Sequence, residues 1–499
     1  MIRMKYITPV VLLAAMFTAC KRNIDVNTNP NLLTAAPIQT VLTSLTTNVG
    51  FTGGSDIHRY TSLWAQQFAG QGAAGTQTLE YEKYIVQPTD VNNLWSSFYA
   101  NMLMDAEYII ANSPGSPWYA GIAKIIKAWL YQHIVDMWGD VPYSEANLGV
   151  NNRTPKYDDD ATIYPKLITL IDQGIADLNA ASSTLSPTTN ETIFGGNRTR
   201  WIKFANTLKM RIYLHYSEIN PSLATSGING IINSGAPVIA SNIENFQMAF
   251  VDAANAQNPI HQFEARRLSQ FFPNSFLVNL MNAKLDPRRP FYFTPFPYTA
   301  TPTPASPYVG ATPGQPQSIN FSRMHTYLRG GPLKNALTIN GAGAVTDVTG
   351  NHTAYTGAAP IRMLTFAEYN FIRAEASLRF GSPGSAQSFF QAGITASMQD
   401  AGVAAADITS YLASYGTLSG TTAQQLRQII VEKYVSNYGV ALEPYNDWRR
   451  TGYPVLAPVA GAATSFIPTI FYYPLSEVNS NPNMPGQKGS LQEKVFWDN

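Results

Sequence analysis

Six histidines, one cysteine and 32 carboxylates are the groups of this 499-residue chain that could move protons, hold a metal or attack a substrate. Their spacing argues against most such chemistry. His58, His133, His215, His261, His325 and His352 are scattered, and none forms the i, i+4 helical pair that binds zinc. His133 and His215 fall inside apolar helical patterns, where a core or helix-end position is expected. One cysteine supplies no thiolate metal set, so no metal site is expected. No nucleophile elbow, phosphate-cradling glycine loop or dinucleotide fingerprint occurs. Asp158, Asp159 and Asp160 precede a helical pattern and read as a solvated helix N-terminus, where negative charge is favourable. Asp252, Glu264 and Asp286 show no readable spacing. A glycosidase-type acid pair therefore stays open as an alternative, and the primary expectation is a binding protein without catalytic groups or cofactor.

Binding chemistry is better represented. Aromatics make up 12% of the chain, including 27 Tyr. Tyrosine can lay its ring on the apolar C–H face of a sugar and still offer a polar tip. Trp129 and Trp201 lie on helical stripes and are expected in the core. Tyr292, Tyr298 and Tyr308 fall in a stretch too rich in proline for helix or interior strand, and they are the candidate ligand contacts.

The elements that must position these residues are mostly helical. Apolar spacing predicts helices over 119–137, 160–180, 201–216, 363–380 and 421–438. Glu375 and Arg379 sit four apart in the favourable order, and Thr421 with Gln424 has capping-box spacing. No period-two run marks a sheet. Residues 290–360 hold Pro290 through Pro316 and then many Gly and Thr residues, and such long irregular segments are usually functional. Residues 50–78 read as a second, Gly/Gln-rich irregular stretch. The expected class is mainly α, with helix pairs carrying a loop-rich second half in one body over 38–499.

The amino end gives the chain an address. Arg3 and Lys5 precede an apolar run, and Thr18 and Ala19 precede Cys20. This reads as a lipoprotein signal peptide over 1–19, with Cys20 as the lipidated residue and 20–37 as a polar tether. Two or three acyl chains anchor a protein stably. A net charge of +1 offers no basic excess for nucleic acid or for an anionic membrane surface, so the membrane contact is expected through the lipid alone.

Several blocks together carry a family resemblance: the lipobox at Cys20, WGDVPYSEA (138–146), WIKFANTLKMRIYL (201–214), FAEYNFIRAEASLRFG (366–381), IIVEKYVSNYGVALEPYNDWRRTGYP (429–454) and YYPLSEVNSNPN (472–483). In this order they resemble the SusD/RagB nutrient-binding outer-membrane lipoproteins, in a SusD-like subgroup distant from the starch-binding founder. The resemblance implies four degenerate TPR-like helix pairs with a loop-rich half packed on them. It implies a SusC-like TonB-dependent transporter as partner, on which the lipoprotein sits as a hinged lid at the outer membrane, facing the cell surface. The ligand implied is an oligosaccharide or, in a variant of the same machine, a peptide. The rival classes are a lipid-anchored glycoside hydrolase and a brace for another barrel. The founder's starch-binding aromatics have no counterpart here, so starch is not implied. The shared motifs read as structural: Gly139 and Pro142 stop a helix, Asp140 bonds backbone amides, and Asp447 holds Arg449 or Arg450.

Overall fold

The computed structural model describes residues 36–70, 75–267, 269–315, 318–332, 337–346 and 354–498. Cys20, Pro316 and His352 lie outside these residues. The helices are α1 (Ile38–Gly53), α2 (His58–Trp64), α3 (Gln77–Glu82), α4 (Asn92–Ser96), α5 (Met104–Ala111), α6 (Pro117–Trp138), α7 (Asp160–Leu178), α8 (Arg198–His215), α9 (Pro221–Asn233), α10 (Pro259–Arg266), α11 (Ser275–Asn282), α12 (Arg289–Tyr292), α13 (Thr326–Arg329), α14 (Phe366–Phe380), α15 (Ala386–Ala401), α16 (Ala405–Tyr415), α17 (Thr422–Ser436), α18 (Glu443–Thr451) and α19 (Leu475–Ser480). A π-helical turn, Ser97–Leu103, joins α4 to α5. The strands are β1 (Phe68–Gly70), β2 (Phe246–Met248), β3 (Phe271–Pro273), β4 (Thr338–Ile339), β5 (Val345–Thr346) and β6 (Ile361–Leu364). They form three antiparallel two-stranded ribbons, β1–β3, β2–β6 and β4–β5. Strands of two to four residues are too short to show alternation, which is why no sheet was legible.

Antiparallel helix pairs make the scaffold. In the first, Ser44 of α1 donates to Asp105 of α5 and Tyr108 donates back to Ala36 O. In the second, α6 and α7 run in opposite directions, with Lys124 beside Asp177 and Tyr164 donating to Asp136. They approach through two glycines. A Cβ on Gly121 would stand 2.7 Å from Gly174 O, and one on Gly174 would stand 2.9 Å from Gly121 O. Only glycine leaves room for that approach. In the third pair Ile228 and Ile231 of α9 pack with Met210 and Leu214 of α8 and with Tyr369 and Ile372 of α14. In the fourth, Gly393 of α15 lies under the Phe371 ring of α14. One contiguous apolar cluster runs from Ile38 to Trp497 and includes Trp129 and Trp201.

The helix ends follow local chemistry. Pro117 and Pro221 open α6 and α9 in the first turn, where proline costs no hydrogen bond. Thr421 and Gln424 close a capping box at α17. Gly139, with φ 74°, ends α6. Helix α14 begins at Phe366 rather than 363, because Ile361–Leu364 pairs with β2 and Thr365 caps the helix. The described residues of 50–78 are more regular than expected, since α1 continues to Gly53 and α2, β1 and α3 follow. The 290–360 region also carries short elements, α12, α13 and the β4–β5 ribbon, with Pro290 in the first turn of α12.

A buried ionic seam ties four helices. Arg211 of α8 forks onto Glu368 of α14 at 2.8 and 2.7 Å. Lys433 of α17 lies 2.8 Å from Asp447 and 3.2 Å from Glu443, both on α18. Arg450 of α18 donates to Glu375 of α14 at 2.5 and 2.8 Å and to Asp447 at 3.0 Å. Arg379 bonds Glu375 at 3.0 Å, as the spacing predicts. Burial alone would raise the Glu375 carboxyl, but Arg450 and Arg379 reverse that and hold it at about 2. The resembling motifs at 201–214, 366–381 and 429–454 thus supply one structural network.

Candidate ligand-binding surface

The loop-rich half is built around the β1–β3 ribbon. On one face Phe68 meets the buried His58 ring and Tyr438; on the other Phe272 packs with Ala69, Ala311 and Phe321. Three non-glycine residues beside the ribbon take left-handed backbone angles: Gln66 (φ 55°), Tyr84 (φ 64°) and Ser269 (φ 59°). Strain of this kind concentrates where a site is preformed.

Loops from three parts of the chain converge here. Glu82 accepts from Gly314 N at 2.8 Å. Burial pushes its carboxyl up to about 8, partly offset by the Gly314 and Gly70 amides. Gln66 Nε2 donates to Ala457 O at 2.5 Å, Val459 N donates to the Tyr84 hydroxyl at 3.2 Å, and Ala463 N donates to Lys83 O at 2.8 Å. At Gly314 (φ 71°) a Cβ would stand 2.1 Å from Ala460 O, so the loops meet backbone to backbone. Sequence reasoning missed this knot, because no local signal pairs residue 82 with 314.

The three tyrosines singled out by the sequence part company. Tyr292 is fully buried, with its ring 4.5 Å from Tyr327 and 4.9 Å from Tyr438. Tyr308 is 4% exposed, donates to Thr303 O at 2.9 Å and lies under the Arg289 guanidinium. Both belong to the interior and offer no face to solvent, since the proline-rich segment folds inward over the helices. Tyr298 is half-buried, and its backbone N–H donates to Gly343 O at 2.8 Å.

A cleft of about 230 Å³ opens between α1, α2 and α10, lined by Phe51, Ser55, Arg59, Pro259, Gln262, Phe263, Arg266 and Arg267. It narrows into a throat of about 30 Å³ reaching His58, Phe68 and Phe271. Burial lowers His58 to about 4, so the throat carries no imidazolium charge at neutral pH. Two wider hollows mix polar side chains with a larger apolar surface. One, about 450 Å³, runs along α1 and is lined by Gln39, Thr43, Ser44, Asn48 and Asn190. The other, about 440 Å³, lies between α11 and α17 and is lined by Lys284, Gln424, Arg427 and Gln428. The hydroxyls and amides of the first can bond a neutral, hydroxyl-rich ligand, and the second adds the cations of Lys284 and Arg427.

The sequence's acidic run resolves into separate duties. Asp158 lies off the helix and accepts from Tyr143 N and Ser144 N at 3.1 and 2.7 Å. Asp159 caps α7 through Thr162 N. Asp160 is buried rather than solvated, accepts from Phe496 N at 2.8 Å and is pushed up by burial to about 6. Asp140 accepts from Asp160 N at 3.0 Å. Oxygens of Asp140, Asp159 and Asp160 come within 4.8 Å of one another, yet each carboxylate is engaged by a backbone amide or stands at a capped helix end. Glu264 pairs with Arg323 at 2.7 Å, and Asp286 with Arg288 at 2.5 Å. His133 and His215 are buried, with His133 lowered to about 3 by burial and by Arg211.

Comparison with known proteins agrees with this architecture. A family model described as "Starch-binding associating with outer membrane" matches residues 30–474. A solved chitin-binding protein superposes with TM-score 0.74 at 25% identity, covering 93% of this chain and all of that one. A chitin-binding SusD homologue from Flavobacterium johnsoniae gives 0.74 at 20% identity, covering 93% and 97%. A SusD homologue from Bacteroides fragilis gives 0.74 at 21%, covering 92% and 99%. No curated protein matches the chain.

Proposed function

Since the chain belongs to the SusD-like family of outer-membrane-associated binding proteins, we propose that it is the substrate-capturing lid of an oligosaccharide uptake complex. It is held at the outer membrane by lipid on Cys20, faces the cell surface, and delivers its ligand to a SusC-like TonB-dependent transporter. The match over 30–474 is the observation that carries the reading. The chitin-binding proteins of the same fold support a carbohydrate ligand. Among the described residues no helix is long and apolar enough to cross a membrane. A lid needs no catalytic group, and Asp140, Asp160 and Glu264 have structural duties. Of the three loop tyrosines, Tyr298 alone keeps part of its surface in solvent and stays a candidate contact.

Two measurements test the reading. Calorimetry of the mature protein against neutral and acidic oligosaccharides and peptides is expected to give saturable binding of a glycan without product release. Binding of peptides alone, or steady hydrolysis, would overturn it. Cys20→Ala is expected to move the protein out of the membrane fraction, and unchanged fractionation would remove the anchor from the scheme.

A further inference from the structure

The cleft between α1, α2 and α10 gathers positive charge around one aromatic ring. The Arg59 guanidinium lies 5.2 Å from the centre of the Phe263 ring and that of Arg267 lies 5.3 Å from it. Arg266, adjacent in sequence, lines the same cleft and donates to Asn255 Oδ1 at 3.1 Å. Asp56 bonds Arg59 at 3.0 Å. Among the described residues no carboxylate pairs with Arg266 or Arg267, and both are exposed.

This differs from four arginines of the interior. Arg211, Arg288, Arg323 and Arg450 are each matched by carboxylates. Three guanidiniums at one cleft repel one another, and a concave wall focuses their field outward. Their planar forks match oxyanions in two-point geometry. Phe51, edge-on to Phe250 at 5.3 Å, supplies a fixed apolar wall beside them.

We propose that this cleft is a subsite for an oxyanion carried by an acidic oligosaccharide, a uronate carboxylate or a sulfate ester, with the sugar's apolar face against Phe51 and Phe263. The inference rests on the carbohydrate-uptake reading and narrows its ligand to charged glycans. Arg267 and Arg266 receive the oxyanion, and Arg59, already shared with Asp56, sets the field behind them.

The test is calorimetry on the mature protein and on an Arg266→Gln/Arg267→Gln variant. The probes are an oligogalacturonate, a chondroitin sulfate oligosaccharide, a neutral chitooligosaccharide and an oligoglutamate peptide. The wild type is expected to bind at least one acidic glycan, with affinity falling as NaCl is raised and about tenfold in the variant. Any binding of the neutral glycan is expected to be the same in both. Which acidic glycan binds distinguishes carboxylate from sulfate. Binding of the neutral glycan alone would overturn this inference and leave the uptake reading standing. Acidic-glycan binding unchanged in the variant would move the oxyanion elsewhere and overturn it too. Loss confined to the peptide would assign the cleft to a peptide partner instead, and binding of no probe by the wild type would count against both readings.

Discussion

The seam between α8, α14, α17 and α18 and the cleft beside α10 both concentrate arginine, and they treat its charge in opposite ways. In the seam every cation meets carboxylates in the dry interior: Arg211 with Glu368, Lys433 with Asp447, Arg450 with Glu375. In the cleft Arg266 and Arg267 stand in solvent, and among the described residues no carboxylate pairs with them. Matched buried charge fixes how helices sit on one another and leaves nothing for a ligand. Unmatched charge at a concave surface contributes little to folding and has its field available to a partner. The difference separates the part of this body that must be rigid from the part that must recognise.

The comparison is broken most directly in the seam. Arg450→Leu leaves Glu375 and Asp447 buried without their shared cation, and removing one partner of such a network destabilises by about 3–5 kcal/mol. Urea unfolding is expected to show that loss, and a change below about 1 kcal/mol would mean the seam is not holding the helices together. The same network predicts a pH dependence. Glu375 is depressed in the folded protein to about 2, below its ordinary value near 4.5. Its contribution is therefore fully present above that ordinary value and is lost as pH falls toward 2. Unfolding curves of Glu375→Gln should fall less steeply with acid than those of the wild type.

Helix pairing without charge is the next level. Gly174→Val puts a branched side chain where a Cβ already meets Ile125 at 2.8 Å and Gly121 O at 2.9 Å. Over-packing of this kind costs about 1–3 kcal/mol. A lowered Tm is expected, and an unchanged one would show that α6 and α7 can separate freely.

How far each region could be read from sequence follows the same division. Apolar spacing located α6, α7, α8 and α17 within a few residues, because a helix buries a face that is local in the chain. The capping box at Thr421 and the Glu375–Arg379 pair were legible for the same reason. The sequence also tied Asp447 to an arginine of its own helix, which the structure identifies as Arg450. The rest of the seam was not legible, since Arg211 and Glu368 are 157 positions apart. Composition marked 290–360 as loop, but it could not say that the loop folds inward and buries Tyr292 and Tyr308. The cleft left one trace, the adjacent Arg266 and Arg267, and nothing tied them to Arg59 or Phe51.

The loop knot at Glu82 sharpens the contrast, because its carboxyl is buried and among the described residues forms no ion pair, with only the charge of the adjacent Lys83 acting on it. Its carboxyl is raised to about 8, so between its ordinary value near 4.5 and 8 the folded state holds a proton that the unfolded chain has lost. Stability from this group is full below pH 4.5 and declines as pH rises through that window. Glu82→Gln keeps an acceptor for Gly314 N and carries no charge, so at pH 5 the change is expected to be under about 1 kcal/mol. At pH 9 the variant should equal or exceed the wild type in chemical unfolding. A variant that loses more stability at pH 9 than at pH 5 would mean that the carboxylate is stabilised in place, and the knot would then belong with the matched charges of the seam.

The smallest effect on folding is expected in the cleft itself. Arg266→Gln/Arg267→Gln removes two exposed cations that pair with no carboxylate among the described residues, and surface changes of this kind stay within about 0.5 kcal/mol. Relief of repulsion with Arg59 would, if anything, raise the midpoint slightly at low salt and vanish at high salt, as the Debye length shortens. A salt-independent loss of more than about 1 kcal/mol would show that these arginines are structural partners after all, which would place the cleft on the same side of the division as the seam.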